Sequence, residues 1–598
     1  MLVPENPRIL CYGTTIRDRI ISATMIRQLI DTVLIGACRF IIAAIAMLAI
    51  LGTVFLLGYI AHRSRIFIQN TLLLNGVPRI TTFIPPVSLL SFFLPRGLLK
   101  YGILMAWDYR ENFSLYKNAP LKTIISEPLS FGGRAIFTAN LAVMRQALAT
   151  GSLFRKVDTG LLDPLGANLL TTEGEIWRRH RRIAAPAFNH RTYQNVWDTT
   201  ADVYDEMSKK EGWTNVNEVR DVNINEITHK LALFLIAIVG FGLPMKWDTP
   251  AYDENGRRSI QSIVFDVSAT VMIRGTLPKW AYSLGIKQFN DIDEAYKGFE
   301  KYMVERIAER DSELRKIYSL DGQDSEELAD SIKDVLGRLV NSRITEGKLT
   351  MTDEEIIGNC FIFAFAGHET TAITLGVTLA ELALNTEVQD WLYNEIIKVI
   401  GDRTPVFEDF DSLDCVQACF LEGLRLYPAA PFMFRSAIQD HVISVPSPTA
   451  PNKKEDIYVK KGDAILLDLV GSFHDPELYV NAEEFYPRRW LDSVKTEKQT
   501  SITEDKDAGE ISGLSPATSM NGFVGFSLGP RTCIGHKFAK VEAVAFLTYL
   551  LKDWKVEPAL KQGETKEEWK RKFVSSATLN VTLRFDDVHL KLSRRKSF

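Results

Sequence analysis

FSLGPRTCIG, Phe526 to Gly535, sets one cysteine in a loop that also carries two glycines and an arginine. The apolar residues that follow, Ile534, Phe538, Val541, Val544 and Ala545, recur at helical spacing, so the Cys533 sulfur stands where a helix begins. Unpaired N–H groups collect there and favour thiolate over thiol. Gly529 and Gly535 allow a tight turn and a close approach to something flat. Arg531 presents a fork of donors to a carboxylate two residues from the sulfur. A lone cysteine is also, and more often, a small buried apolar residue, so the loop needs company before it means anything.

That company lies upstream, in order. AGHETT, Ala366 to Thr371, falls inside a long apolar stretch opened by Thr352 and Glu355, a capping-box pair, with no proline until well past Asn385. This predicts one very long helix that is apolar nearly all round from Ile356 to Ala366 and so crosses a core. Glu369 and Thr370 then sit where charge is expensive; the plain alternative is a threonine bonded back to its own helix and a glutamate paired with an unseen cation. Next comes ExxR, Glu422 to Arg425, in a helix from about Ser412 that Pro428 stops. Last is FYPRRW, Phe485 to Trp490.

A planar, carboxylate-bearing, thiolate-ligated cofactor is haem, and the Phe526, Gly529, Arg531, Cys533, Gly535 pattern resembles the haem-binding loop of cytochrome P450 enzymes. The resemblance implies that Cys533 is the axial ligand of the haem iron. It implies that Glu369 and Thr370 are the acid–alcohol pair that delivers protons during oxygen activation, with Gly367 leaving room in the groove. It also implies that Glu422, Arg425 and Arg489 form a buried triad serving folding rather than chemistry. Trp177 and Arg181 in WRRHR, and Arg435 after Pro431, resemble the family's propionate contacts; Arg178, Arg179 and Arg182 read as a solvated or membrane-facing strip. Where many members have His-Arg-Asp-Pro this chain has Phe473-His474-Asp475-Pro476, and no propionate role is carried onto it. Matching positions imply a substrate pocket of Phe361, Phe365, Ala366, Ala429, Ala430, Phe432 and Met433, nearly all apolar.

The chain has 598 residues, 46% of them hydrophobic, and a net charge of −4. That is enough for a large core and gives no basic footprint for nucleic acid. Cys11, Cys38, Cys360, Cys415, Cys419 and Cys533 show no metal or disulfide spacing. Because the motifs must meet on one cofactor, the expected fold is mainly α with a small β component, one cytochrome P450-like catalytic domain behind an N-terminal transmembrane helix. Phe40 to Ala61 is 22 residues without a charge, long enough to span about 30 Å of hydrocarbon. The expected organisation is 1–39 an N-terminal segment, 40–61 the anchor, 62–114 a proline-bearing, membrane-proximal linker, and 115–598 the haem-thiolate domain. Within that domain 492–521 reads as a surface insert, and Asp321 to Asp330 as a shorter acidic one.

The resemblance implies a microsomal, fungal-type monooxygenase of secondary metabolism on the cytosolic face of the endoplasmic reticulum, in contact with membrane lipid. It would act on a lipophilic small molecule such as a terpenoid, sterol, fatty acid or polyketide, with O2 and electrons from an NADPH-cytochrome P450 reductase. No flavin or nicotinamide domain is visible in the chain. Two alternatives stay open: a haem-thiolate isomerase or dehydratase that rearranges a peroxide without reductase, and a membrane haem-binding protein without turnover. The presence of Glu369 beside Thr370 argues against both.

Overall fold

The computed structural model describes residues 16–85, 109–149, 153–157, 160–252, 254, 256–319, 334–345, 347, 350–450, 452–491, 523–579 and 581–595. The chain divides into residues 1–73 and the compact unit Leu74–Phe598. Among the described residues the first unit carries one helix, α1 (Ile16–Thr71), within which Leu34–Thr71 is long and apolar enough to cross a membrane. The expected anchor, 40–61, lies inside it, and Phe40, Ile42 and Phe55 present exposed apolar surface.

The compact unit starts earlier than the sequence reading placed it. Arg79–Thr82, assigned above to the linker, is a strand that pairs in parallel with Thr123–Pro128, held at one end by an Arg79–Glu127 ion pair at 3.3 Å. Four residues at a sheet edge among prolines carry too little alternation to be read as a strand. The linker's remainder, 86–108, lies outside the described residues, as do the acidic stretch and the 492–521 insert.

Most of the compact unit is helical. The helices that build the site are α2 (Gly174–Ala184), α3 (His190–Lys210), α4 (Ile224–Leu235), α5 (Asp353–Leu384), α6 (Asp414–Leu426) and α7 (His536–Asp553). Helix α5 opens with the expected box: Thr352 Oγ1 accepts from the Glu355 N–H at 3.2 Å, and Glu355 Oε2 accepts from the Thr352 N–H at 3.0 Å. Every residue from Ile356 to Phe365 is buried. The helix therefore crosses the core, packing on α4, α6 and α7.

The β component is a six-stranded sheet in the order Arg79–Thr82, Thr123–Pro128, Ala135–Thr138, Ala464–Asp468, Phe432–Ala437, Phe154–Arg155, with smaller sheets beside it. Two apolar clusters result. One surrounds α5 and holds Phe361, Phe365, Ala429 and Phe432; the other lies by the sheet and holds Ile136, Leu421, Ile465 and Trp490.

Candidate active site

The cysteine loop is closed by its own backbone. The Cys533 N–H donates to the Phe526 carbonyl at 2.8 Å, and the Thr532 N–H to Gly529 O at 3.0 Å. Gly529 has φ +67°, and a Cβ there would meet the Leu148 carbonyl oxygen at 3.0 Å, so both backbone and space require glycine. Around Gly535 a Cβ would meet no protein atom within 4 Å, which leaves the helix start open to a flat ligand. Ser527 also adopts a glycine-type conformation, φ 64° and ψ −179°. Cys533 is accessible to small molecules although protein encloses it; burial pushes the thiol up, while the Gly535 N–H, Arg181 and Lys156 pull it down. Those last three are the features that favour a thiolate.

Arg181 and Lys156 act on this sulfur, and Arg531 and Arg435 act in turn on Lys156. The Arg531 guanidinium lies 4.2 Å from the Trp177 ring centre, pairs with Glu173 at 2.7 Å and donates to Thr172 O at 2.7 Å. Arg181, from α2, donates to the Thr532 carbonyl at 3.0 Å, which ties α2 to the cysteine loop. Arg435 is buried and donates to Phe434 O at 2.9 Å; burial brings it down to about 10, with Glu173 opposing and Arg531 reinforcing the shift. Lys156, which the sequence reading did not single out, donates to Leu170 O at 3.0 Å. Burial drives it down to about 7, with Arg531 and Arg435 adding to the shift.

Among the described residues, Glu173 is the carboxylate that answers Arg531, Arg435 and Lys156. A pocket so short of negative charge suits a ligand with two carboxylates, and an accessible thiol beside it suits a soft metal. The residues present therefore fit haem.

The acid and alcohol of α5 are engaged elsewhere. Thr370 Oγ1 donates to Ala366 O at 2.8 Å, back into its own helix. Glu369 is buried, and its Oε1 accepts from Thr582 Oγ1 at 2.9 Å and from Arg584 Nε at 2.6 Å. Both plain alternatives raised by the sequence are thus the arrangement found, and a proton path needs both contacts to open. A Cβ at Gly367 would meet Ile236 at 3.4 Å. That is ordinary contact with the turn Ile236–Gly240.

The triad is assembled around Glu422. Arg425 reaches it through two bonds, Nε to Oε2 at 2.9 Å and Nη2 to Oε1 at 2.8 Å, and Arg489 Nε through one at 3.1 Å. The Tyr486 N–H at 2.9 Å and Trp490 Nε1 at 2.8 Å complete the carboxylate. Burial works against this charge, but Arg425 and Arg489 outweigh it and hold the Glu422 carboxyl below its usual range. Arg425 also donates to the carbonyls of Phe473, Ala482 and Glu484 at 2.7, 2.7 and 3.0 Å.

Of the expected pocket residues, Phe361, Phe365, Ala429 and Phe432 are buried in the α5 cluster, and Ala366 and Ala430 are half-buried. Met433 is different: it packs with the sheet-side cluster, whereas Phe434 packs against the α5 cluster, its ring 6.4 Å from that of Phe432. Phe432 pairs with Asp468 and Met433 with Leu467, and neighbours on a strand face opposite ways. Met433 and Phe434 therefore face opposite sides of the strand. Arg179, read as part of a solvated strip, pairs with Glu355 and donates to Thr350 O at 3.0 Å, clamping α2 to the start of α5. His474 and Asp475 point away from the cation cluster: His474 Nδ1 bonds Val470 O at 2.9 Å, and Asp475 pairs with Lys122 at 3.2 Å.

The comparisons agree with this geometry. The family model described as Cytochrome P450 matches residues 134–583. A cytochrome P450 monooxygenase of Postia placenta, number 124, is 32% identical over 425 residues, covering 70% of this chain and 74% of its own. Cytochrome P450 monooxygenase prx9 of Penicillium rubens is 27% identical over 446 residues, 71% of this chain and 73% of its own. Cytochrome P450 6B1 of the insect Papilio polyxenes is 27% identical over 419 residues, 67% of this chain and 74% of its own. With a thiol at a glycine-lined helix start, a cation cluster suited to a dicarboxylate and a family match over most of its length, this chain belongs to the cytochrome P450 family of haem-thiolate monooxygenases.

Proposed function

We propose that the chain inserts one atom of O2 into a lipophilic small molecule, of the terpenoid, sterol, fatty acid or polyketide kind, as a step of secondary metabolism. Electrons come from an NADPH-dependent cytochrome P450 reductase. The apolar character of Phe361, Phe365, Ala429 and Phe432, all buried in the α5 cluster, supports the substrate reading, since such residues offer an apolar ligand burial and few polar anchors. The apolar helix Leu34–Thr71 supports a single-pass anchor, here assigned to the endoplasmic reticulum with the catalytic unit in the cytosol and touching membrane lipid.

Haem bound through the Cys533 thiolate supplies the oxygen chemistry. Lys156, Arg181, Arg435 and Arg531 hold its carboxylates, and Trp177 backs Arg531 by stacking. Phe361, Phe365 and Phe432 orient substrate and exclude water. Glu369 and Thr370 move protons once Thr370 Oγ1 turns from Ala366 O and Glu369 loosens from Arg584.

The test is a reduced-plus-carbon-monoxide difference spectrum of the full chain in membranes, wild type beside Cys533→Ala, followed by NADPH consumption with reductase and a panel of lipophilic substrates. A red-shifted Soret band lost in the variant, with substrate-dependent NADPH use, is expected. Turnover of a hydroperoxide without reductase, and none with NADPH, would replace the monooxygenase reading by an isomerase one.

A further inference from the structure

Asn359, near the start of α5, has no use in the chemistry above, yet its side chain is fully buried. A buried amide needs partners at both of its ends. Its Oδ1 accepts from the Leu169 N–H at 2.9 Å, and its Nδ2 donates to the Glu355 carbonyl at 2.6 Å and to His180 Nδ1 at 3.1 Å. The two backbone partners leave the amide one orientation, because the Leu169 N–H only donates and the Glu355 carbonyl only accepts. His180 Nδ1 must then be an acceptor, so the ring is neutral and carries its proton on Nε2, 3.4 Å from Glu355 Oε1. Burial keeps this ring below its ordinary pKa, with Glu355 opposing.

The Leu169 N–H belongs to a segment on which two of the cations assigned above to the haem carboxylates stand. Arg531 donates to Leu169 O at 3.3 Å and to Thr172 O at 2.7 Å, and pairs with Glu173 at 2.7 Å. Lys156 donates from Nζ to Leu170 O at 3.0 Å and from its backbone N–H to Glu173 Oε1 at 3.0 Å. Asn168, also fully buried, sets the shape of this segment: its Oδ1 accepts from the Leu170 and Thr171 N–H groups at 3.0 and 3.1 Å, and its Nδ2 donates to Leu162 O at 2.8 Å. Asn359 sets its place. A Cβ at Gly358 would meet the carbonyl oxygens of Gly166 and Ala167 at 2.7 and 2.8 Å, so the backbone leading into the segment runs directly against α5.

We propose that Asn359 is a positioning residue for haem: by holding Leu169 it fixes the segment Leu169–Glu173, and through that segment the aim of Arg531 and Lys156. The proposal rests on the reading that these two cations hold the haem carboxylates, and deepens it. A small apolar residue at this position would leave the Leu169 N–H and His180 Nδ1 unpaired. An aspartate would serve both: one oxygen accepts from the Leu169 N–H, and the other accepts from His180 Nδ1 once that ring is protonated, a charge that Glu355 on the far side of the ring also favours. The Glu355 carbonyl would keep its ordinary helical bond.

The experiment uses the full-length holoprotein in lipid nanodiscs and compares wild type with Asn359→Ala, Asn359→Asp and Arg531→Lys. Three properties are read: the propionate bending bands in resonance Raman, the rate of haem transfer to an acceptor protein, and hydrogen exchange by mass spectrometry across residues 162–172. In Asn359→Ala the propionate bands should shift in the direction that Arg531→Lys shifts them. Haem transfer should speed about tenfold, and exchange across the segment about tenfold. In Asn359→Asp the bands should return to their wild-type positions and both rates to within about twofold of wild type.

Propionate bands that move in Arg531→Lys but not in Asn359→Ala would overturn the proposal and leave the carboxylate role of Arg531 standing. Bands that move in neither would overturn that role and the proposal with it. Equal defects in Asn359→Ala and Asn359→Asp would also overturn it, since the space filled by the amide would then explain everything. Should Asn359→Ala yield no holoprotein, Asn359→Asp decides: wild-type bands and exchange support the anchor at Leu169, and shifted bands or faster exchange refute it.

Discussion

Removing the Arg425 guanidinium should be the most damaging single change outside the cysteine loop, and the structure lets its cost be worked bond by bond. In Arg425→Met, Glu422 keeps Arg489, the Tyr486 N–H and Trp490 Nε1, so its charge is weakened in support but not abandoned. Two buried carbonyls, of Phe473 and Ala482, and the part-buried one of Glu484 lose their donor, at about 1 kcal/mol each. Breaking a buried pair with two direct bonds adds about 3 kcal/mol. The sum, about 6 kcal/mol, rivals the whole stability of a typical domain. Arg489→Met removes one bond to Glu422, and the carbonyls of Val480 and Asn481 that it also serves are at the surface and can turn to water; its cost should be about 1–2 kcal/mol.

The assay is the yield of holoprotein by its carbon monoxide spectrum, together with pulse proteolysis in urea to rank the variants. Arg425→Met should yield almost no holoprotein, Arg489→Met a reduced but measurable amount. The double variant Glu422→Gln/Arg425→Met should be no worse than Arg425→Met, because the two share one interaction. Equal losses in the two single arginine variants would refute the reasoning, since it rests on the three carbonyls that Arg425 alone holds.

Other outcomes follow from single contacts. Ser527 occupies a glycine-type backbone conformation, which costs a non-glycine residue about 1–3 kcal/mol; Ser527→Gly should therefore slow thermal loss of haem, and faster loss would show that its side chain matters more than its φ. His474 is held neutral, down to about 4, by burial with Arg425 adding to it. The unfolded chain binds the extra proton between about pH 6.5 and 4, so stability rises with pH across that window, and about 3 kcal/mol is lost on acidification to pH 4. His474→Gln should flatten the acid limb of a denaturation-versus-pH curve there, and an unchanged limb would place the acid sensitivity elsewhere. Lys156→Met should speed haem transfer to an acceptor protein about tenfold, the worth of one charge-assisted bond to a carboxylate; an unaltered rate would remove Lys156 from the propionate set.

What could be read from the sequence divides by how far away a residue's partner lies along the chain. Thr352 and Glu355 cap α5 across three positions, and Glu422 and Arg425 meet across three on α6; such signals are local, and so both helices could be placed. The cysteine loop was equally legible, because its turn, its arginine and the helix behind it occupy one short run. Lys156 carries no local signature at all, and becomes a site residue only because Leu170, Glu173, Arg435 and Arg531 are folded around it. Met433 and Phe434 could not be sorted by face until the pairing of Phe432 with Asp468 fixed the register, since a one-residue slip exchanges the two faces of a strand. Glu369 shows the limit most sharply. Its neighbours along the chain suggest a proton donor, but the state in which it is held depends on Arg584, 215 positions away. Glu369 can serve a proton path only after its contacts with Thr582 and Arg584 open, so partners more than 200 positions away, and not the local motif, set that step.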